Sequence, residues 1–333
     1  VPGEDTQSLF EEINTQDIAG ELVSGDVKGR DVLKFLILGL PLRSESVSQL
    51  SRARELHPSF LLVWIGNNDV LDMATSTDPG AVTLTAAAFG DRFHRLLDAL
   101  ADTHAGMAVA NLPDPTAIAA LRRATGDVTS CRQADASTVP VAADDLLSID
   151  LDPTELPTPL CSRILDATER AAIRAKIVAF NAEIATAITD TEQKRGVTIA
   201  PVDVFTTFDQ LGATGVDLNG DGTPDLTTRY LGGIFSLDGI HPTRTGNALV
   251  ANAFIDAIDG RFGEAIPPVD VTRVAAHDPL THSAFRPVGE VPFGLIGDSE
   301  GDDLESFFTK TFTRIGDRAA DLRDRLEHLF DVF

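Results

Sequence analysis

Two side chains three positions apart, Asp238 and His241, lie in the stretch G-G-I-F-S-L-D-G-I-H-P-T-R-T-G from Gly232 to Gly246. In a tight turn or a first helical turn that spacing puts both on one side. The carboxylate can then hold one ring nitrogen of the imidazole while the other faces outward. Such a pair is a general base awaiting a nucleophile, although the same letters also fit a hydrogen-bonded loop histidine beside a helix cap. A second polar cluster, Gly66-Asn67-Asn68-Asp69, follows the apolar run Leu61 to Ile65. A third sets Asp217, Asn219, Asp221 and Asp225 around Gly222 in the order D-x-N-x-D-G, which is the pattern of a calcium loop. The twelfth loop position, where a bidentate glutamate is expected, is Thr228. A structural Ca2+ and a metal-free Asn-Gly and Asp-Gly turn therefore both stay open, and no other cofactor is required.

Together G-N-N-D and D-G-I-H-P resemble the third and last blocks of the SGNH or GDSL family of serine hydrolases, G-x-N-D and D-x-x-H, in the family's order. Val1-Pro2-Gly3 is similar to the end of that family's second block. The resemblance implies a three-layer α/β/α fold with a parallel sheet, and ester hydrolysis through a Ser-Asp-His triad of which Asp238 and His241 are two members. It also implies an oxyanion site that includes the Gly3 amide and the Asn68 side chain. The implied substrate is a small-molecule ester or an acylated sugar or lipid, with Phe235 and Ile240 inclining towards an acyl chain. The family's G-D-S block, which carries the serine, belongs before the second block, and nothing precedes Val1. The expectation is a fragment that starts after that block and is inert by itself.

Two alternatives stand beside this reading. One is a non-catalytic binding or surface protein that keeps the hydrolase fold. The other is a permuted hydrolase using Ser299, because Gly297-Asp298-Ser299 follows the apolar Phe293-Gly294-Leu295-Ile296. Glu300 and Gly301-Asp302-Asp303 place negative charge where an oxyanion would have to be received, so Ser299 is not expected to be catalytic.

Composition narrows the field. With 27 Lys+Arg against 51 Asp+Glu, the formal net charge of -24 repels nucleic-acid phosphates, and nucleic acid is excluded as a partner. The longest apolar runs are strand-sized, so no transmembrane segment is expected. Cys131 and Cys161 either close one disulfide in an exported protein, contributing roughly 3 kcal/mol on the loop-entropy estimate, or remain two buried thiols. The expected location is extracellular, periplasmic or lipoprotein-anchored.

Several elements must position these residues. The pattern predicts a short helix over 7–14, a helix over 44–57 ended by Pro58, and a buried strand over 60–65. A helix over 83–104 carries the stripe Phe89, Phe93, Leu96 and Leu100, and a strand over 107–110 comes after it. Residues 116–164 lose periodicity and read as a lid or wall over the site. Asp166 and Glu169 cap a long helix with the stripe Ile173, Ile177, Phe180, Ile184 and Ile188, before a strand over 197–204. A last helix over 245–262 completes a domain spanning 1–270, with Ile266-Pro267-Pro268-Val269 as an exit linker. Residues 271–333 read as linker and tail, whose stretch 302–333 is an amphipathic helix of unknown partner. Gly3, Asn68 and His241 are expected to converge at the carboxyl edge of the parallel sheet, where such sheets place their chemistry.

Overall fold

Three short apolar runs, β1 (Phe60–Val63), β2 (Gly106–Ala110) and β8 (Ile199–Val202), form a parallel sheet in the order β1-β2-β8. The computed structural model describes residues 5–10, 48–124, 128–149 and 158–281. Successive side chains of a strand face opposite ways, and β2 uses both faces. Met107 and Val109 join a core with Phe89 and Phe93 of α3 (Ala86–Ala101) and Ile173, Ile177 and Phe180 of α4 (Ala167–Arg195). Ala108 and Ala110 join a second core with Phe208 of α5 (Val204–Thr214) and Val250, Phe254 and Ile258 of α6 (Arg244–Phe262). The sheet is thus sandwiched between two helical layers, as expected for an α/β/α fold whose central strand reads as an unbroken apolar run.

Local chemistry sets the helix ends. Asp166 accepts the Glu169 amide at 2.8 Å while the Glu169 carboxylate accepts the Asp166 amide at 2.9 Å, a reciprocal cap for the 29-residue α4. Phe180 of that helix stacks on Phe89 with ring centroids 4.4 Å apart, joining α3 to α4. The helix expected over 44–57 is described as α1 (Gln49–Glu55), capped by Ser48. A four-residue helix, α2 (Asp72–Thr75), comes after the G-N-N-D turn. Helix α5 has no counterpart in the sequence reading.

Residues 116–164, in their described part, hold more order than the sequence suggests. β3 (Leu121–Arg123), β6 (Leu146–Ser148) and β7 (Ile164–Leu165) make an antiparallel sheet in the order β3-β6-β7. β4 (Ser130–Arg132) and β5 (Thr138–Pro140) form a separate hairpin. Cys131 and Cys161 are disulfide-bonded across a separation of 30 residues, so of the two cysteine readings the disulfide holds. The bonded pair packs with Ala124, Val128, Leu147 and Ile164 in a small core of its own.

The domain also runs past its expected end at 270. Val269 donates to the Asn252 side chain at 2.7 Å and accepts from it at 3.0 Å, so the apparent Pro-Pro linker is fastened to α6. After α7 (Val271–Ala275), the buried Asp278 accepts both the amide and the hydroxyl of Thr245, each at 2.9 Å. A carboxylate at the first turn of α6 complements its exposed amides, and this holds residues up to Thr281 in the same compact unit. The tail helix expected over 302–333 lies outside the described residues.

The outer edge of β8 is plugged. Ile199 donates its amide to Glu192 Oε1 at 2.8 Å, its carbonyl accepts Arg261 Nε at 3.1 Å, and Arg261 Nη2 closes the ring on Glu192 at 2.7 Å. Pro201, the next outward-facing residue, has no amide hydrogen to offer. Among the described residues no helix is long and apolar enough to cross a membrane.

Candidate active site

The stretch from Ile234 to Thr243 folds back on itself. Phe235 bridges Pro242 in antiparallel fashion, the Ser236 amide donates to the His241 carbonyl at 2.7 Å, and the Gly239 amide donates to the Ser236 carbonyl at 2.9 Å. This turn presents Asp238 and His241 side by side, with His241 Nδ1 2.6 Å from Asp238 Oδ2. Asp238 Oδ1 accepts three further bonds, from Ser236 Oγ at 2.6 Å and from the amides of Ile240 and His241 at 2.9 Å each. Burial pushes the carboxyl upward, but these donors outweigh it and hold Asp238 down to about 2. Beside a carboxylate ionised at every physiological pH, Nδ1 carries the proton, which leaves Nε2 as the basic nitrogen. The His241 side chain is 75% exposed, so that nitrogen is open to a reactant.

Gly239 could not be another residue here. It sits at φ +68°, and a Cβ would come within 2.6 Å of the Ala120 amide nitrogen. In return Ala120 donates that amide to the Gly239 carbonyl at 2.9 Å. The disulfide-bonded segment is therefore a direct support of the Asp-His turn. The same segment is tied to the stretch after α2, where Thr77 donates its hydroxyl to the Ser162 carbonyl at 2.7 Å, next to Cys161.

Asn68 lies on a turn of 3-10 helix, Asn67–Asp69, directly after β1, and its side chain is exposed. Gly66 enters that turn at φ +111° against Leu112 and Phe89, a conformation and a space that suit glycine. Val63 is opposite Val109, so this turn and the loop from Asn111 leave the sheet at the same carboxyl edge. Asp69 turns inward and accepts the Thr6 amide and hydroxyl at 2.8 Å each, with Arg92 at 3.4 Å. Burial raises its carboxyl above the ordinary value despite the Thr6 bonds. Residues 5–10, close after Gly3, are thereby fastened to the Asn68 turn. Gly3 itself, like Ser299, lies outside the described residues.

Not every expectation about position survives. The turn that carries His241 lies outside the parallel sheet and is tied through the Gly239 carbonyl to the Ala120 amide, downstream of β2. Phe235 is 5% exposed and packs on Phe208 with centroids 5.8 Å apart, so it belongs to the core and is not a surface for an acyl chain. Ile240 is half-buried. Ser236, whose hydroxyl steadies Asp238, escaped the sequence reading.

In the loop Asp217 to Asp225 the candidate metal oxygens are occupied by the loop's own donors. Asp217 accepts the amides of Asn219, Gly220 and Gly222 at 3.2, 2.7 and 2.7 Å. Asn219 Oδ1 accepts the Asp221 amide, Asp221 accepts the Thr223 amide, and Asp225 accepts the Leu218 amide, each at 2.8 Å. The Gly222 bond leads those that draw the Asp217 carboxyl below its usual range. Among the described residues no group of three or more His, Cys, Asp and Glu is arranged to hold a metal ion.

Comparison with known proteins adds a family to this geometry. Residues 14–254 match the family described as GDSL-like Lipase/Acylhydrolase. No curated protein matches the chain. The crystal structure of LAE5, an alpha/beta hydrolase enzyme from the metagenome of Lake Arreo, Spain, is similar over 77% of this chain and 68% of that one, at 16% identity and a TM-score of 0.33.

Proposed function

Because the chain belongs to the GDSL-like lipase and acylhydrolase family, we propose that it is a serine ester hydrolase in which His241 is the general base and Asp238 its anchor. The observation that carries this is the 2.6 Å Nδ1 to Oδ2 contact, made by a carboxylate that three other donors already hold in place. In the reaction the serine hydroxyl adds to the ester carbonyl as Nε2 takes its proton. Nε2 then returns that proton to the departing alcohol, and water cleaves the acyl-enzyme by the same route in reverse. Asp238 fixes the tautomer and stabilises the imidazolium. The Asn68 amide group and the Gly3 backbone amide are the proposed donors to the developing oxyanion. No metal takes part in this scheme.

Among the described residues no hydroxyl is hydrogen-bonded to the His241 ring, so the serine is to be identified directly. Labelling the full chain with a fluorophosphonate probe and mapping the adduct by mass names it. Hydrolysis of p-nitrophenyl esters should fall by about 10⁴-fold in His241→Ala and be untouched by chelators. Hydrolysis indifferent to His241→Ala, or lost to a chelator and restored by zinc, would overturn the scheme. No turnover and no adduct from a chain that includes the serine block would favour a binding protein on the same fold. The Cys131–Cys161 bond supports an oxidising compartment, extracellular, periplasmic or lipoprotein-anchored.

A further inference from the structure

Ala120 joins two structures that are far apart in sequence. Its amide donates to the Gly239 carbonyl at 2.9 Å, one residue after Asp238, and its carbonyl accepts the Ile149 amide, also at 2.9 Å. From there the ladder runs on, with Leu121 opposite Ser148 and Leu147 opposite Ile164. The Asp-His turn is thus the last rung of a hydrogen-bonded series that begins at β7.

The sheet that carries this series has little to hold it by itself. Its strands are two or three residues long, and sheets so small depend on a covered apolar face. The cover is the β4–β5 hairpin, whose Cys131 and Val139 pack with Leu147 of β6 and Ile164 of β7. The Cys131–Cys161 bond staples that hairpin to the residues leading into β7, with the Arg132 amide on the Pro159 carbonyl at 2.8 Å beside it. Cys131 is 5% exposed, whereas Cys161 is half-buried between the exposed Leu160 and Ser162, so a reductant reaches the bond from the Cys161 side. The chain has two cysteines, and both are in this bond.

We propose that the Cys131–Cys161 bond is a redox switch on the Asp-His turn. When formed, it keeps Ala120 in place and the pair aligned; when reduced, it frees the hairpin, the small sheet loosens, and the turn loses its support. As regulation of catalysis this rests on the ester-hydrolase reading. The reductant is a dithiol. One thiolate attacks Cys161 Sγ and displaces Cys131 as thiolate, and the second thiol then closes on the reductant's own sulfur and displaces Cys161. Two electrons and two protons pass to the cysteines, and the dithiol leaves as a cyclic disulfide. An enzyme built this way is idle where thiols are kept reduced and competent where they are oxidised.

Hydrogen exchange resolved to single amides reads the switch without a reaction. In the full chain treated with dithiothreitol, the Ala120 and Gly239 amides should lose protection by about tenfold or more while those of β2 keep theirs. Reoxidation with oxidised glutathione should restore both. In a chain that includes the serine block, hydrolysis of p-nitrophenyl acetate should fall about 10²-fold on reduction, the loss typical of a displaced catalytic group. Cys131→Ala combined with Cys161→Ala should be as slow and indifferent to the dithiol. Ala120 exchange that reduction does not alter would overturn the inference. So would an equal loss of protection in β2, which would make the bond a brace of the whole fold. Exchange that follows the bond in a chain that hydrolyses no ester would leave the switch standing and sink the hydrolase reading. Hydrolysis that the dithiol does not slow would do the reverse.

Discussion

The turns around Asp217 and Asp238 are built from the same parts. Each has an aspartate, a nearby glycine at positive φ, and backbone amides folded onto the carboxylate. They differ in what the second carboxylate oxygen meets. At Asp217 it meets the Gly222 amide, and the loop is closed upon itself. At Asp238 it meets an imidazole whose far side is open. A carboxylate enclosed by amides is a structural clasp, whereas one that keeps an oxygen for a titratable partner can take part in chemistry.

Substitution can break this comparison. The largest effect is expected from Asp238→Asn, which retains the shape of the turn but leaves the wrong tautomer of His241; ester hydrolysis should fall about 10⁴-fold. The corresponding Asp217→Asn change should leave hydrolysis within about twofold, since it removes acceptors for exposed amides only. Equal losses from the two would show that Asp238 too is merely a clasp.

Asn68→Ala comes next, with a loss of about 10²- to 10³-fold in kcat and little change in KM, because an oxyanion donor acts on the transition state. A loss confined to KM would instead make Asn68 a ground-state contact.

Ser236→Ala should be milder, within about tenfold in kcat, as one donor of four to Asp238 is removed. Its signature lies at low pH. Asp238 is held near 2 in the folded chain against an ordinary 3.8. The stability it contributes is therefore complete above about 3.8 and is lost as pH falls towards 2. Losing the serine donor should move that loss to higher pH. An unchanged acid limb in thermal melts would show that the hydroxyl does not hold the carboxylate.

The smallest effect is expected of calcium. With the oxygens of the Asp217 loop facing amides, millimolar Ca2+ should leave Tm unmoved. A rise in Tm that Asp217→Asn abolishes would show that the loop opens to chelate the ion.

Much of the scaffold was legible because local signals agreed with the fold. The stripe Ile173, Ile177, Phe180, Ile184 and Ile188 is buried throughout, and the Asp166–Glu169 cap forms as read. The D-x-x-H pair was legible because three residues of a tight turn decide its geometry. The disulfide-bonded segment was opaque because its strands are two or three residues long, too short for any period to register, and in the sheet of β3, β6 and β7 they pair with partners distant in sequence. The boundary at 270 misled for a related reason. Pro267-Pro268 reads as a linker, while the bonds that fasten residues 269–281 to the domain, Asn252 to Val269 and Thr245 to Asp278, are tertiary.

The closed edge of β8 bears on how this chain behaves in company. A sheet edge with unsatisfied amides invites a neighbouring molecule to add a strand, and repetition of that step builds a fibril. Here the first outward amide and carbonyl are held by Glu192 and Arg261, and the next outward residue is a proline. A crowded solution of this protein should therefore stay dispersed along that direction even where heating loosens the rest. The double change Arg261→Ala with Pro201→Val would expose two adjacent donor and acceptor positions and should bring on thioflavin-positive aggregation.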